Sequence, residues 1–114
     1  MKISQIKEIL NCVVLCGMDG LDAEITSCLG SDMMSDVLAF AEPKALLITG
    51  LTNSQSVRTA DIAEASAILY VRGKKPDQQA LDLALELSIP ILSTELGLFE
   101  ACGILFKAGL KGIC

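Results

Sequence analysis

The residues best suited to chemistry fall into three short polar stretches. The first is Thr49-Gly50-Leu51-Thr52-Asn53-Ser54-Gln55, with Arg58 about one helical turn further on. The second is Arg72-Gly73-Lys74-Lys75-Pro76-Asp77, and the third is Ser93-Thr94-Glu95. Each lies where an apolar run gives way to a helical pattern. Free backbone N–H groups and positive dipole ends gather at such points, and they suit a phosphate or a carboxylate. Thr49, Gly50, Thr52, Asn53, Ser54, Gly73, Ser93 and Thr94 are the candidate contacts, and Arg58, Lys74 and Lys75 would add positive charge. Each stretch also has a local explanation. Thr52-x-x-Gln55 reads as a capping box, Pro76 as a first helical residue, and Ser93 or Thr94 as an N-cap. Neither GxGxxG nor GxxxxGK[ST] is present, so no dinucleotide fingerprint or P-loop supports the stretches.

Other chemistry is narrower. The chain has five cysteines and no histidine. That excludes Ser-His-Asp and Cys-His nucleophile systems, phosphohistidine relays and imidazole zinc sites. Cys12, Cys16, Cys28, Cys102 and Cys114 are odd in number and form no CxxC, which reads as reduced, buried small hydrophobes. Cys12 and Cys16, four apart on an expected strand, would share a face. Asp32 and Asp36 are four apart on an expected helix and would also share a face. These groups carry the enzyme reading, with Asp32 as a cap and Asp36 exposed as its plainer alternative. Asp82 and Glu86 read as a solvated face. No catalytic residue, metal site or cofactor is assigned.

The elements that must position these residues follow from periodicity. A helix capped by Ser4 carries Ile3, Ile6, Ile9 and Leu10, and Asn11 ends it. Cys12–Cys16 is an apolar strand, 17–22 a turn and 24–29 a second strand, so the two read as a hairpin-like pair. Ser31 or Asp32 caps a helix through Met33, Met34, Val37, Leu38 and Ala41, stopped by Pro43. Then an alternation begins: strands at 45–48, 67–71 and 89–92, with helices near 53–65, 76–87 and 95–107. Strands apolar at every position are buried on both faces, as parallel strands are, and crossovers of this length suit parallel pairing. The fold class is therefore α/β. It has a mostly parallel sheet of three βα units plus the N-terminal helix and strand pair, and ligands would bind off the strands' carboxyl ends.

With 114 residues, one domain spanning 1–114 is expected, given about 100–200 residues per domain. Hydrophobic residues make up 52% and the net charge is −5. The composition excludes a disordered chain, and the missing basic stripe speaks against nucleic acid. No apolar run approaches the roughly 18–20 residues needed to cross a bilayer. The N-terminus lacks a signal-peptide core. A soluble cytoplasmic protein without membrane association is expected. The last helix carries Leu96, Leu98, Phe99, Ala101, Cys102, Ile104, Leu105, Phe106 and Ala108, against only Glu95, Glu100 and Lys107. That exceeds the stripe needed to cover a sheet and points to association, in the first place a homodimer. Met33, Met34, Val37, Leu38 and Phe40 form a second candidate patch.

Four stretches, taken together, resemble stand-alone DRTGG-domain proteins: Ser31-Asp32-Met33-Met34-Ser35-Asp36-Val37-Leu38-Ala39-Phe40, Leu47-Ile48-Thr49-Gly50, Val71-Arg72-Gly73-Lys74-Lys75-Pro76 and Leu92-Ser93-Thr94-Glu95-Leu96-Gly97-Leu98-Phe99-Glu100. The resemblance implies an α/β domain similar to the N-terminal domain of HPr kinase/phosphorylase, non-catalytic and tending to dimerise. Such domains accompany phosphotransacetylases, regulatory pyrophosphatases and hydrogenase-associated gene sets. The literal Asp-Arg-Thr-Gly-Gly string is absent, so no residue role carries over from it, and no kinase domain is present. The expectation is a regulatory or assembly domain binding a small anionic metabolite, phosphate or nucleotide at the βα-loop edge. The alternatives are a protein-interaction subunit of a redox or acetate-metabolism assembly, and an enzyme using a cysteine or the carboxylate pair.

Overall fold

The computed structural model describes residues 1–113. Its centre is a six-stranded sheet in the order β1-β5-β4-β3-β2-β6. The strands are β1 (Val13–Cys16), β2 (Ser27–Gly30), β3 (Ala45–Thr49), β4 (Ala67–Tyr70), β5 (Ile91–Ser93) and β6 (Lys111–Gly112). Among the described residues only β1 runs antiparallel, against β5, and the other neighbouring strand pairs are parallel. The helices are α1 (Ile3–Leu10), α2 (Met34–Phe40), α3 (Ser54–Ile62), α4 (Gln78–Leu87) and α5 (Leu98–Lys107).

The mostly parallel α/β architecture is as the periodicity implies. Every residue of β3, β4 and β5 is buried, because helices cover both faces of the sheet. Alternate strand residues feed two cores. Leu46, Ile48, Leu69 and Leu92 pack with Ile3, Ile6 and Leu10 of α1 and Ala101 and Leu105 of α5. Leu47, Ile68, Tyr70 and Ile91 pack with Met34 and Val37 of α2, Val57 and Ala60 of α3, and Ala80 and Ala84 of α4.

The hairpin-like pair is corrected. β1 and β2 lie far apart in the sheet: β1 flanks β5, while β2 lies between β3 and β6. The turn at 17–22 and the loop beyond it carry the chain from one side to the other. β2 is itself parallel to β3, so β2-α2-β3 adds a fourth βα unit to the three expected. A second correction concerns Cys12 and Cys16. They do not share a face: Cys12 joins the α1/α5 core and Cys16 the opposite one. The register of β1 against β5 shifts between Val14 and Cys16, and such a bulge reverses the alternation.

Helix starts differ from expectation by a few residues. α1 begins at Ile3, with the Lys2 backbone N–H donating to Gln5 Oε1 at 2.7 Å, so Ser4 is not its cap. Asn11 does end it, at φ 52°. The side chain at the start of α3 is Asn53, whose Oδ1 accepts from Ser56 N at 3.3 Å, in place of a Thr52–Gln55 box. Asp77 caps α4 by accepting from Ala80 N at 2.8 Å, which leaves Pro76 just outside the helix. α5 starts after Gly97, beyond Ser93 and Thr94, which are needed elsewhere.

Candidate functional site

Parallel strands place the loops after β2, β3, β4 and β5 along one rim of the sheet. The β3 loop is built first. Thr49 Oγ1 and Gly50 N–H both donate to Asp32 Oδ1, at 3.0 and 2.7 Å, and Leu51 N–H donates to Thr49 Oγ1 at 3.1 Å. A carboxylate from the β2 loop thus occupies the N–H group that would otherwise greet an anion at Gly50. The Gly50 N–H is the main cause holding the Asp32 carboxyl below its ordinary range. The Thr49 hydroxyl and the charges of Arg72 and Lys74 add to it, against a partial desolvation.

The β4 loop turns with two successive left-handed residues, Arg72 at φ 58° and Gly73 at φ 66°. Arg72 N–H donates to Leu96 O and Gly73 N–H to Thr94 O, both at 2.8 Å, which ties this loop to the one after β5. The turn sends cationic side chains back over β3. Lys74 Nζ donates to Gly50 O at 3.2 Å. The Arg72 guanidinium lies so close to Gly50 that a Cβ there would sit 2.7 Å from Nη2. The Glu95 carboxylate covers Gly73 in the same way, 2.5 Å from where a Cβ would stand. Ser93 Oγ donates to Lys74 O at 2.9 Å, and buried Thr94 Oγ1 donates to Leu10 O at 2.9 Å. These two side chains hold loops together and do not cap α5.

Thr49, Gly50, Gly73, Lys74, Ser93 and Thr94 are therefore brought together. Thr52 and Asn53 border them: Thr52 O accepts from Asp77 N–H at 3.3 Å, and Asn53 is a cap. Ser54 and Arg58 are not part of the cluster. Arg58 Nη1 donates to Ser54 Oγ at 3.4 Å, and both line a groove against Gln79, Asp82 and Glu86 of α4. Lys75 is exposed beside the cluster. Three charged members were not among the candidate contacts: Asp32, Arg72 and Glu95. The signal for Asp32 was its position directly after β2. It shows only once β2 is known to run parallel to β3.

The carboxylate pair is corrected. α2 begins at Met34 with Met33 at its N-cap, so Asp32 lies outside the helix that carries Asp36 and points to β3 instead. Among the described residues the thiols show no activation: Cys12 and Cys16 are buried and Cys28 and Cys102 half-buried, while Cys114 lies outside the described residues. Burial pushes Cys12 up to about 11. Burial, with the neighbouring Cys102 thiol as a smaller cause, pushes Cys28 up to about 12. Among the described residues no group of three or more His, Cys, Asp or Glu is placed to hold a metal ion. Nor is any helix among them long and apolar enough to cross a membrane.

A second region differs in character. α5, β2 and β6 enclose a cleft of about 460 Å³ lined by Cys28, Gly30, Phe99, Cys102, Phe106 and Leu110 among others. At its lips Phe99 is 90% and Phe106 75% exposed.

Fold and rim together define a class: α/β domains with a mostly parallel sheet whose polar loops follow the strand ends without a P-loop. The chain belongs to the DRTGG domain family, whose profile matches residues 5–108. A solved structure with the same fold is the CBS and DRTGG regulatory region of Clostridium perfringens pyrophosphatase, complexed with its activator diadenosine tetraphosphate. The likeness has a TM-score of 0.73 at 14% identity and covers 91% of this chain. This chain spans 45% of that one. No curated protein matches the sequence.

Proposed function

We propose that residues 1–114 act as one regulatory or assembly domain of the cytoplasm. It has no catalysis of its own, takes a small anionic metabolite or nucleotide at the rim, and works as two copies. The observation that carries the reading is the convergence of Arg72 and Lys74 on the carboxyl end of β3, with Lys75 next to them in the chain. Asp32 already fills the Gly50 N–H, so a ligand phosphate would meet cationic side chains more than backbone amides. Thr49, Gly50, Gly73, Ser93 and Thr94 would hold the loops beneath the ligand, and Thr52 and Asn53 would border it. Ser54 and Arg58 would enter only with an extended ligand. The pyrophosphatase regulatory region lends support to the nucleotide class, since its own complex holds diadenosine tetraphosphate.

The test is thermal unfolding of the full chain against inorganic phosphate, diphosphate, AMP, ATP and diadenosine tetraphosphate. A ligand that binds only the folded state raises the midpoint by mass action. We expect a shift with at least one phosphorylated compound, lost in Lys74→Ala/Lys75→Ala. No shift with any of them, or a shift that survives the double variant, overturns the ligand reading.

A further inference from the structure

We infer that the outer face of α5 is a two-fold, antiparallel contact with α5 of a second copy, centred on Gly103. This deepens the self-association in the reading above and rests on it. The exposed residues of the helix are Phe99, Glu100, Gly103, Phe106 and Lys107. At 3.6 residues per turn these fall on one stripe. Phe99 and Phe106 form one flank, Glu100 and Lys107 the other, and Gly103 lies on the centre line.

A two-fold axis through Gly103, perpendicular to both helices, brings each flank onto the same flank of the partner. At a rise of about 1.5 Å per residue, Phe99 then faces Phe106 at nearly equal height, and Glu100 faces Lys107. Each aromatic meets an aromatic and each charge its opposite. A parallel pairing would instead set the aromatic flank of one copy on the charged flank of the other. Gly103 leaves the crossing point open, since a Cβ there would meet nothing within 4 Å, and small residues at a crossing let helices approach closely. The aromatic flank also borders the cleft beside Cys28 and Cys102, so the partner's rings cover that cleft. An isologous interface requires this kind of self-complementarity.

Sedimentation of the full chain over a concentration series, without ligand, tests the contact. The expected result is a reversible monomer–dimer equilibrium. Gly103→Leu should abolish it while keeping the native circular dichroism, because that position is open. At concentrations where both proteins are monomers the variant should melt no lower than the parent, since leucine favours a helix interior more than glycine does. Glu100→Lys and Lys107→Glu should each weaken the dimer about tenfold through like-charge pairing, and Glu100→Lys/Lys107→Glu should restore it. A monomer at all concentrations overturns the inference. So does a dimer indifferent to Gly103→Leu, or a double swap no better than the single ones. The ligand panel reads the rim alone, so failure there leaves this result standing.

Discussion

The rim at the strand ends and the flank beside α5 are built on opposite terms. At the rim, polar groups are partnered within the chain: Asp32 with Thr49 and Gly50, Lys74 with Gly50 O, Ser93 with Lys74 O, Thr94 with Leu10 O. On the flank, two phenylalanines stand in solvent over an apolar cleft. The contrast teaches that order at the rim comes from the fold itself, so the ligand proposed to bind there would pay little to organise its site. The flank belongs to a helix that the core already holds, but it leaves apolar rings in water, a surface that favours being covered.

The largest effect should come where the two regions nearly touch. Gly30 ends β2 below the rim and lines the cleft, and a Cβ there would lie 2.7 Å from Cys102 Sγ. Gly30→Ala should destabilise by about 1–3 kcal/mol, as overpacking does. Adding Cys102→Ala should recover a good part of that loss, because the two sites share one contact. Urea unfolding of the two single variants and the double variant checks this. Strict additivity would mean that the helix does not press on the strand at that point.

The second prediction separates the regions by acid. Replacing Asp32 by Ala removes the acceptor of two hydrogen bonds and should cost about 1 kcal/mol at neutral pH. Because the folded carboxyl titrates below its unfolded value of about 3.9, its charged contribution is complete above that value. It is lost as pH falls through the lower folded value. Asp32→Asn keeps an acceptor oxygen but not the charge. Its deficit relative to the parent protein should shrink as urea titrations move from pH 6 to about 3, while Gly30→Ala keeps its deficit throughout.

How far these regions were legible follows from the kind of signal each sends. β3, β4 and β5 announced themselves because burial on both faces demands unbroken apolar runs. β2 showed as a strand at 24–29 but its place did not: its pairing with β3 depends on a segment that the turn at 17–22 and the loop after it have carried across the sheet. The rim was legible in Thr49, Gly50, Gly73 and Lys74, which mark strand ends. Asp32 and Glu95 were not, because a carboxylate reaching across to a neighbouring loop has no local spacing to betray it. Arg72 hid because its left-handed conformation is set by the bonds to Leu96 and Thr94, not by its residue type. The α5 face was visible as an excess of apolar residues. Its division into aromatic and charged flanks required knowing which side meets the sheet.

Alkali should act on the flank as acid acts on the rim. Cys28 lies in the cleft wall with its thiol pushed up to about 12, against about 8.5 in an unfolded chain. Below about 8.5 both states hold the proton and the contribution of Cys28 is complete. Between those two values the unfolded chain binds fewer protons, so unfolding becomes easier as pH rises. Cys28→Ala should flatten that decline in urea titrations from about pH 8 to 10, and iodoacetamide should spare Cys28 in the folded protein. Rapid labelling without unfolding would place the thiol outside the cleft wall.

The smallest effect divides two adjacent lysines. Both lysines are exposed, but Lys74 Nζ donates to Gly50 O at 3.2 Å. Without ligand, Lys74→Ala should cost about 0.5–1 kcal/mol, the usual net value of one hydrogen bond. Lys75→Ala should stay within about 0.5 kcal/mol of the parent. The sequence sets the two side by side with identical chemistry, so a difference between them would come from the turn at Arg72 and Gly73, which aims one back over β3 and leaves the other free. Equal effects in differential scanning calorimetry would show that the Lys74 bond contributes nothing measurable. The rim would then owe its order to Asp32 and the loop-to-loop backbone bonds alone.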